Sequence, residues 1–91
     1  MPNTKNYSTR LRVLDQCLRS GHAYSGKELT EFINRELELR GEPTITSRTT
    51  LMDDLLNIEN EYHTNIVRKK HGRQTTYQYE DPNFSIFSTE L

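Results

Sequence analysis

The chain has a single cysteine, Cys17, and no tryptophan. One cysteine excludes an intrachain disulfide and a cysteine-based zinc framework, and makes a reducing compartment the expected setting. No apolar run reaches membrane length, and the opening MPNTKNYSTR lacks the apolar stretch of a signal peptide. A cytoplasmic protein with no membrane partner is therefore expected. An excess of charge of one sign is missing too: 12 basic against 13 acidic residues leave a net charge of −1. Global charge thus favours neither nucleic acid nor an acidic partner, and the distribution of charge has to decide. His22, His63 and His71 are too dispersed to suggest a metal site. No Ser/His/Asp or Cys/His set, paired-carboxylate motif or glycine-rich phosphate loop stands out, so neither an enzyme nor a cofactor is expected. Internal repeats and low-complexity tracts are also absent.

What is present is one small domain of 91 residues, 32% hydrophobic and 27% charged, with its apolar residues periodic. Residues 1–6 are polar and expected to be loose. Leu11, Leu14 and Leu18 recur at helical spacing, widened by Val13 and Cys17, and Tyr7 can extend the stripe. A first helix is expected from about Ser8 to Arg19, capped by Ser8 or Thr9 and stopped by Gly21. SGKE puts Ser25 three residues before Glu28, a capping box that starts a second helix; Leu29, Phe32, Ile33 and Leu37 line its inner face. Gly41 and Pro43 end it. In TITSRTTLMDDLLNIENEY, Thr46 or Ser47 caps a third helix whose core face is Leu51, Leu55, Ile58 and Tyr62. Its other side carries Arg48, Thr49, Met52, Asp53 and Asn57. Asp54 stays near the core side, where it can accept hydrogen bonds from a neighbouring element.

NIVRKKHGRQTTYQYE then reads as two strands around a turn at Gly72. From Ile66 to Tyr79 it holds Arg68, Lys69, Lys70 and Arg73 and no acid, so it is a basic arm on a near-neutral chain. Pro82 breaks the second strand. Phe84, Ile86 and Phe87 follow without an apolar partner in their own element; they fold back on the domain or meet something else.

The expected fold is therefore mainly α with a small β-hairpin: a winged helix-turn-helix of three helices and a two-stranded wing, spanning residues 7–80, with 81–91 as tail or linker. In that arrangement the first turn of the third helix is left free to enter a DNA major groove, and a basic wing lies along phosphates. Ser47, Arg48 and Thr49 are the candidate contacts of the helix, Arg48 for a base. Lys69, Lys70, His71 and Arg73 are the candidate backbone contacts of the wing. Two blander readings stand beside these. Arg48 can be a solvated surface arginine, and RKKHGR can protect an edge strand from aggregation. The competing functional class is a protein-interaction or dimerisation module with weak or no DNA binding, suggested by near-neutral charge, Asp53 and the apolar tail.

ITSRTTLMDDL, the basic hairpin and YQYEDPNFSIF together resemble the N-terminal winged-helix domain of WYL-domain transcriptional regulators, particularly those of Bacteroides-type bacteria. The resemblance runs from about Tyr7 to the C-terminus. The family's third helix commonly reads Ser-x-x-Thr-Ile-x-x-Asp-Leu, and Ser47, Thr50, Leu51, Asp54 and Leu55 fill that frame. The resemblance implies binding to double-stranded DNA, a dimeric full-length protein and a C-terminal ligand-sensing WYL domain in the same chain. Where family helices often carry arginine, this chain has Thr49 and Asp53. That shifts the expected DNA contact to the first turn of the helix and to the wing.

Overall fold

Three helices and three short strands follow one another along the described chain: α1 (Thr4–Leu18), β1 (Tyr24–Ser25), α2 (Gly26–Leu39), α3 (Arg48–Tyr62), β2 (Ile66–His71) and β3 (Gln74–Tyr79). The computed structural model describes residues 4–87, with side chains from Asn6. Residues 1–3 of the expected loose start, and 88–91 of the expected tail, lie outside the described residues. The first helix starts at Thr4, earlier than expected, so Thr4, Lys5 and Asn6 are helical rather than loose. Ser8 and Thr9 consequently sit inside α1 and do not cap it. The physical reason is tertiary: the Asn6 side chain is buried and its amide donates to the Pro43 carbonyl at 3.3 Å.

The second helix forms as its local chemistry dictates. The Ser25 hydroxyl accepts from the Glu28 N–H at 3.2 Å, and the Glu28 carboxylate accepts from the Ser25 N–H at 2.9 Å. At the other end Glu42 N–H donates to Leu37 O at 2.8 Å and Gly41 N–H to Glu38 O at 3.1 Å. This is a Schellman stop, and it places Gly41 at φ +69°, where a side chain would be strained. The connection to α3 is clamped by Asn34: its amide nitrogen donates to Ile45 O at 2.9 Å, and Ile45 N–H donates to its amide oxygen at 2.8 Å. Ser47 caps α3, its hydroxyl accepting from Thr49 N–H at 3.1 Å.

The sheet differs from the expected two-stranded wing. It has three antiparallel strands in the order β1-β3-β2, with Tyr24 opposite Tyr77 and Ser25 opposite Thr76. The arrangement is mixed α/β and consistent with a winged-helix-like fold. The extra strand is only two residues long, yet it ties the start of α2 to the middle of β3. One core joins all elements: Leu11, Leu14 and Leu18 of α1, Leu29, Ile33 and Leu37 of α2, Leu51, Leu55 and Ile58 of α3, and Ile66, Tyr77 and Tyr79 of the sheet. Each such leucine or isoleucine contributes roughly 1.5–3 kcal/mol by leaving water. Cys17 lies in this cluster, and burial pushes its thiol up to about 11, which keeps it an unreactive thiol at neutral pH.

The tail folds back. Ser85 and Ile86 are buried, and Phe84 packs edge-on against Tyr79 with ring centroids 4.9 Å apart, whereas Phe87 is 60% exposed. The anchor is Asp15 of α1, which is 2% exposed. Its carboxylate accepts from the Tyr79 hydroxyl at 2.8 Å, the Ser85 hydroxyl at 2.8 Å and the Ile86 N–H at 3.0 Å. First burial and then this carboxylate push the Tyr79 phenol far above its ordinary range, so the phenol stays a hydrogen-bond donor. No helix among the described residues is long and apolar enough to cross a membrane.

Candidate functional site

The first turn of α3 stands free of the core: Ser47, Arg48 and Thr49 are all exposed, while Leu51, Asp54, Leu55 and Ile58 face inward. Asp54 is held there by Arg10 of α1. The guanidinium meets the carboxylate with both arms, Nε to Oδ2 at 2.7 Å and Nη2 to Oδ1 at 3.2 Å. The two aspartates thus separate cleanly. Asp54 is a buried structural partner, and Asp53 is exposed on the outer face. Burial raises the Asp54 pKa, and Arg10 only partly offsets it.

Beside that turn lies a cleft of about 300 Å³, lined by Ser25, Gly26, Lys27, Arg48, Met52, Arg73, Gln74, Thr75 and Tyr77. Three cations from three elements converge on it, Lys27 from the start of α2, Arg48 from α3 and Arg73 from the hairpin loop, and no carboxylate among the described residues lines it. None of the three makes an ion pair among the described residues. Strand β1 is the reason they meet, because it docks the α2 start against β3. Gly26 faces Leu51 and Tyr77. A Cβ there would lie 3.5 Å from Leu51 Cδ2 and 3.7 Å from Tyr77 Cε1, which is ordinary contact.

The hairpin cations do not share one fate. Side chains alternate along a strand, so Ile66, Arg68 and Lys70 share the inner face with Tyr79, Tyr77 and Thr75. Lys69 and His71 point to the outer face. Arg68 is not free for a ligand. It donates to Glu59 of α3 through both arms, at 3.2 and 3.3 Å, and lies over the Tyr77 ring at 5.9 Å. Burial works against the Glu59 charge, but Arg68 and the Ile66 N–H outweigh it and lower the pKa of this carboxyl. Arg68 therefore fastens the hairpin root to α3, while Lys69, Lys70, His71 and Arg73 stay exposed. The loop is two residues, Gly72 and Arg73, with positive φ at Gly72 only, the φ pattern of a type II′ turn.

Of the seven residues singled out in the sequence, Arg48 and Arg73 line one cleft, Ser47 and Thr49 share the helix start with Arg48, and Lys70 faces the same side. Lys69 and His71 do not join them. Lys27 is the residue the sequence reading missed; its only signal was its place inside the capping box. No group of three or more His, Cys, Asp or Glu side chains able to hold a metal ion occurs among the described residues. No protein-family model, curated protein or solved structure matches the chain.

Proposed function

We propose that this chain is a winged helix-turn-helix domain that binds double-stranded DNA in sequence-specific fashion, as the reading head of a bacterial WYL-type transcriptional regulator. The observation that carries the proposal is the acid-free cleft where Lys27, Arg48 and Arg73 converge beside the exposed first turn of α3. A strand of phosphates running between α3 and the hairpin would pass these cations, and Lys70 faces the same side. Ser47 and Thr49 offer short hydroxyl donors at the groove entrance, and Arg48 has the reach to bind a guanine with both arms. Lys69 and His71 on the outer wing face add charge at longer range. The same reading carries a ligand-sensing WYL domain following in the chain, a dimeric full-length protein and a cytoplasmic site of action. The alternative, an interaction module without DNA binding, is favoured by the exposed Asp53 on the outer face of α3.

Titration of labelled duplexes at low salt separates the two, since an interaction module leaves the duplex free. Within the DNA reading, Arg48→Ala is expected to narrow the gap between the best site and random duplex by about 1–3 kcal/mol. An unchanged specificity ratio removes Arg48 from the reading role and leaves it a phosphate contact.

A further inference from the structure

On the flank of α3 away from the hairpin lies a second groove, of about 470 Å³, between α1 and α3. It is lined by Tyr7, Arg10, Thr50, Asp53, Asp54, Asn57 and Glu61. At 100° per residue, Asp53, Asn57 and Glu61 lie roughly 140°, 180° and 220° around the helix from Arg48. The flank of α3 opposite Arg48 therefore carries the exposed acids Asp53 and Glu61. Among the described residues Arg10 is the one cation lining the groove, and it is paired with Asp54. Asp53 and Glu61 are exposed and make no ion pair among the described residues. The half-buried Tyr7 ring lines the same groove.

The complementary surface is on the same molecule but cannot reach this groove. Lys69 and His71 occupy the outer face of the wing, turned away from α3, and are exposed. A wing projecting on one side of α3 and an acidic groove on the other are complementary between copies, not within one. We infer that copies of this chain associate head to tail, the outer wing face of one copy seated with Lys69 against Asp53 and Glu61 in the α1–α3 groove of the next. The occupant is a second copy because this chain has a segment of fitting charge, on a protruding hairpin, with no ion pair among the described residues. The net charge of −1 sets no long-range repulsion against it. The contact is heterologous, so it adds copies in a row and does not close as a twofold dimer. It leaves Lys27, Arg48, Lys70 and Arg73 uncovered, and it does not depend on the DNA-binding reading.

Sedimentation equilibrium of the full chain without DNA tests this. At low salt the average mass should climb from 10.7 kDa with concentration and keep climbing past two copies. At ~0.5 M salt, where the screening length is only ~4 Å, it should return to one copy. Lys69→Glu, or Asp53→Lys with Glu61→Lys, should each weaken association about tenfold, and combining all three should restore it. Far-ultraviolet circular dichroism confirms that each variant is folded; all three positions are exposed. A constant monomer mass up to ~1 mM at low salt overturns the inference, as does a mass that stops at two copies or a combined variant that shows no recovery. None of these outcomes involves DNA, so they leave the DNA reading where it stands.

Discussion

Asp15→Ala is expected to destabilise the domain by about 3–5 kcal/mol, a large share of the roughly 5–15 kcal/mol that holds a small domain folded. The Asp15 carboxylate is buried and serves three donors: the Tyr79 hydroxyl, the Ser85 hydroxyl and the Ile86 N–H. Alanine takes this carboxylate acceptor away from all three in the core. The chain has one escape, which is to release the tail. That returns Ser85 and the Ile86 N–H to water, but it exposes Ile86 and uncovers Tyr79 where Phe84 packs. Either route is costly. Asp15→Asn should be much milder, at about 1–2 kcal/mol. Oδ1 already takes both the Tyr79 and Ile86 bonds, and an amide in place of Oδ2 can donate to the Ser85 hydroxyl. Urea denaturation of the two variants, with hydrogen exchange at Ile86 as a local probe, checks both figures. Equal losses in Ala and Asn would mean that the network contributes little.

Arg10→Ala is the second large effect, at about 3–5 kcal/mol. It strands Asp54, whose side chain is 3% exposed, without its counter-ion. The cost has a pH signature. Burial already raises the folded-state pKa of Asp54 above its ordinary value despite Arg10, so the protonated form is favoured in the fold. A raised acid pKa gives stability that is full below the unfolded value and lost as pH rises through the folded one. Removing Arg10 raises that pKa further. The gap between Arg10→Ala and the unaltered protein is therefore largest near neutral pH and shrinks as pH falls through the carboxyl range. Arg10→Met combined with Asp54→Leu should recover most of the loss, because an apolar pair needs no compensation. Thermal unfolding at several pH values reads each of these. The pair also matters for the proposed function: it fixes α3 against α1 and so aims the helix start.

What could be read from the sequence was local. The capping box at Ser25 and Glu28, the leucine stripes and the hairpin glycine are each decided within a few residues, and the structure has them where the pattern placed them. What could not be read was decided at long range. Two residues, Tyr24 and Ser25, are too short to show alternation, and their strand exists only because Thr76 and Tyr77 lie alongside. Asp15 sits on a helix like any surface acid, and its partners come 64 to 71 residues later. Asn34 resembles an ordinary polar helix position until Ile45 folds against it. Arg68 counts as one more wing cation until strand alternation turns it inward to Glu59. Lys27 joins the candidate site through that same missed strand. The exposed helix start was therefore legible, because local rules place it. The facing of the wing cations was not, because tertiary packing selects which of them turn toward the cleft.

The most direct test of the DNA-binding reading is the salt dependence of duplex binding. About four phosphate contacts give a slope of log K against log salt near −3.6, at roughly 0.9 per contact. Lys27→Ala, Lys70→Ala and Arg73→Ala should each flatten that slope by about 0.9, and do so equally for every duplex sequence. Failure to bind any duplex at low salt, by the chain alone or held as a dimer, would contradict the account, as would a slope left unchanged by all three substitutions.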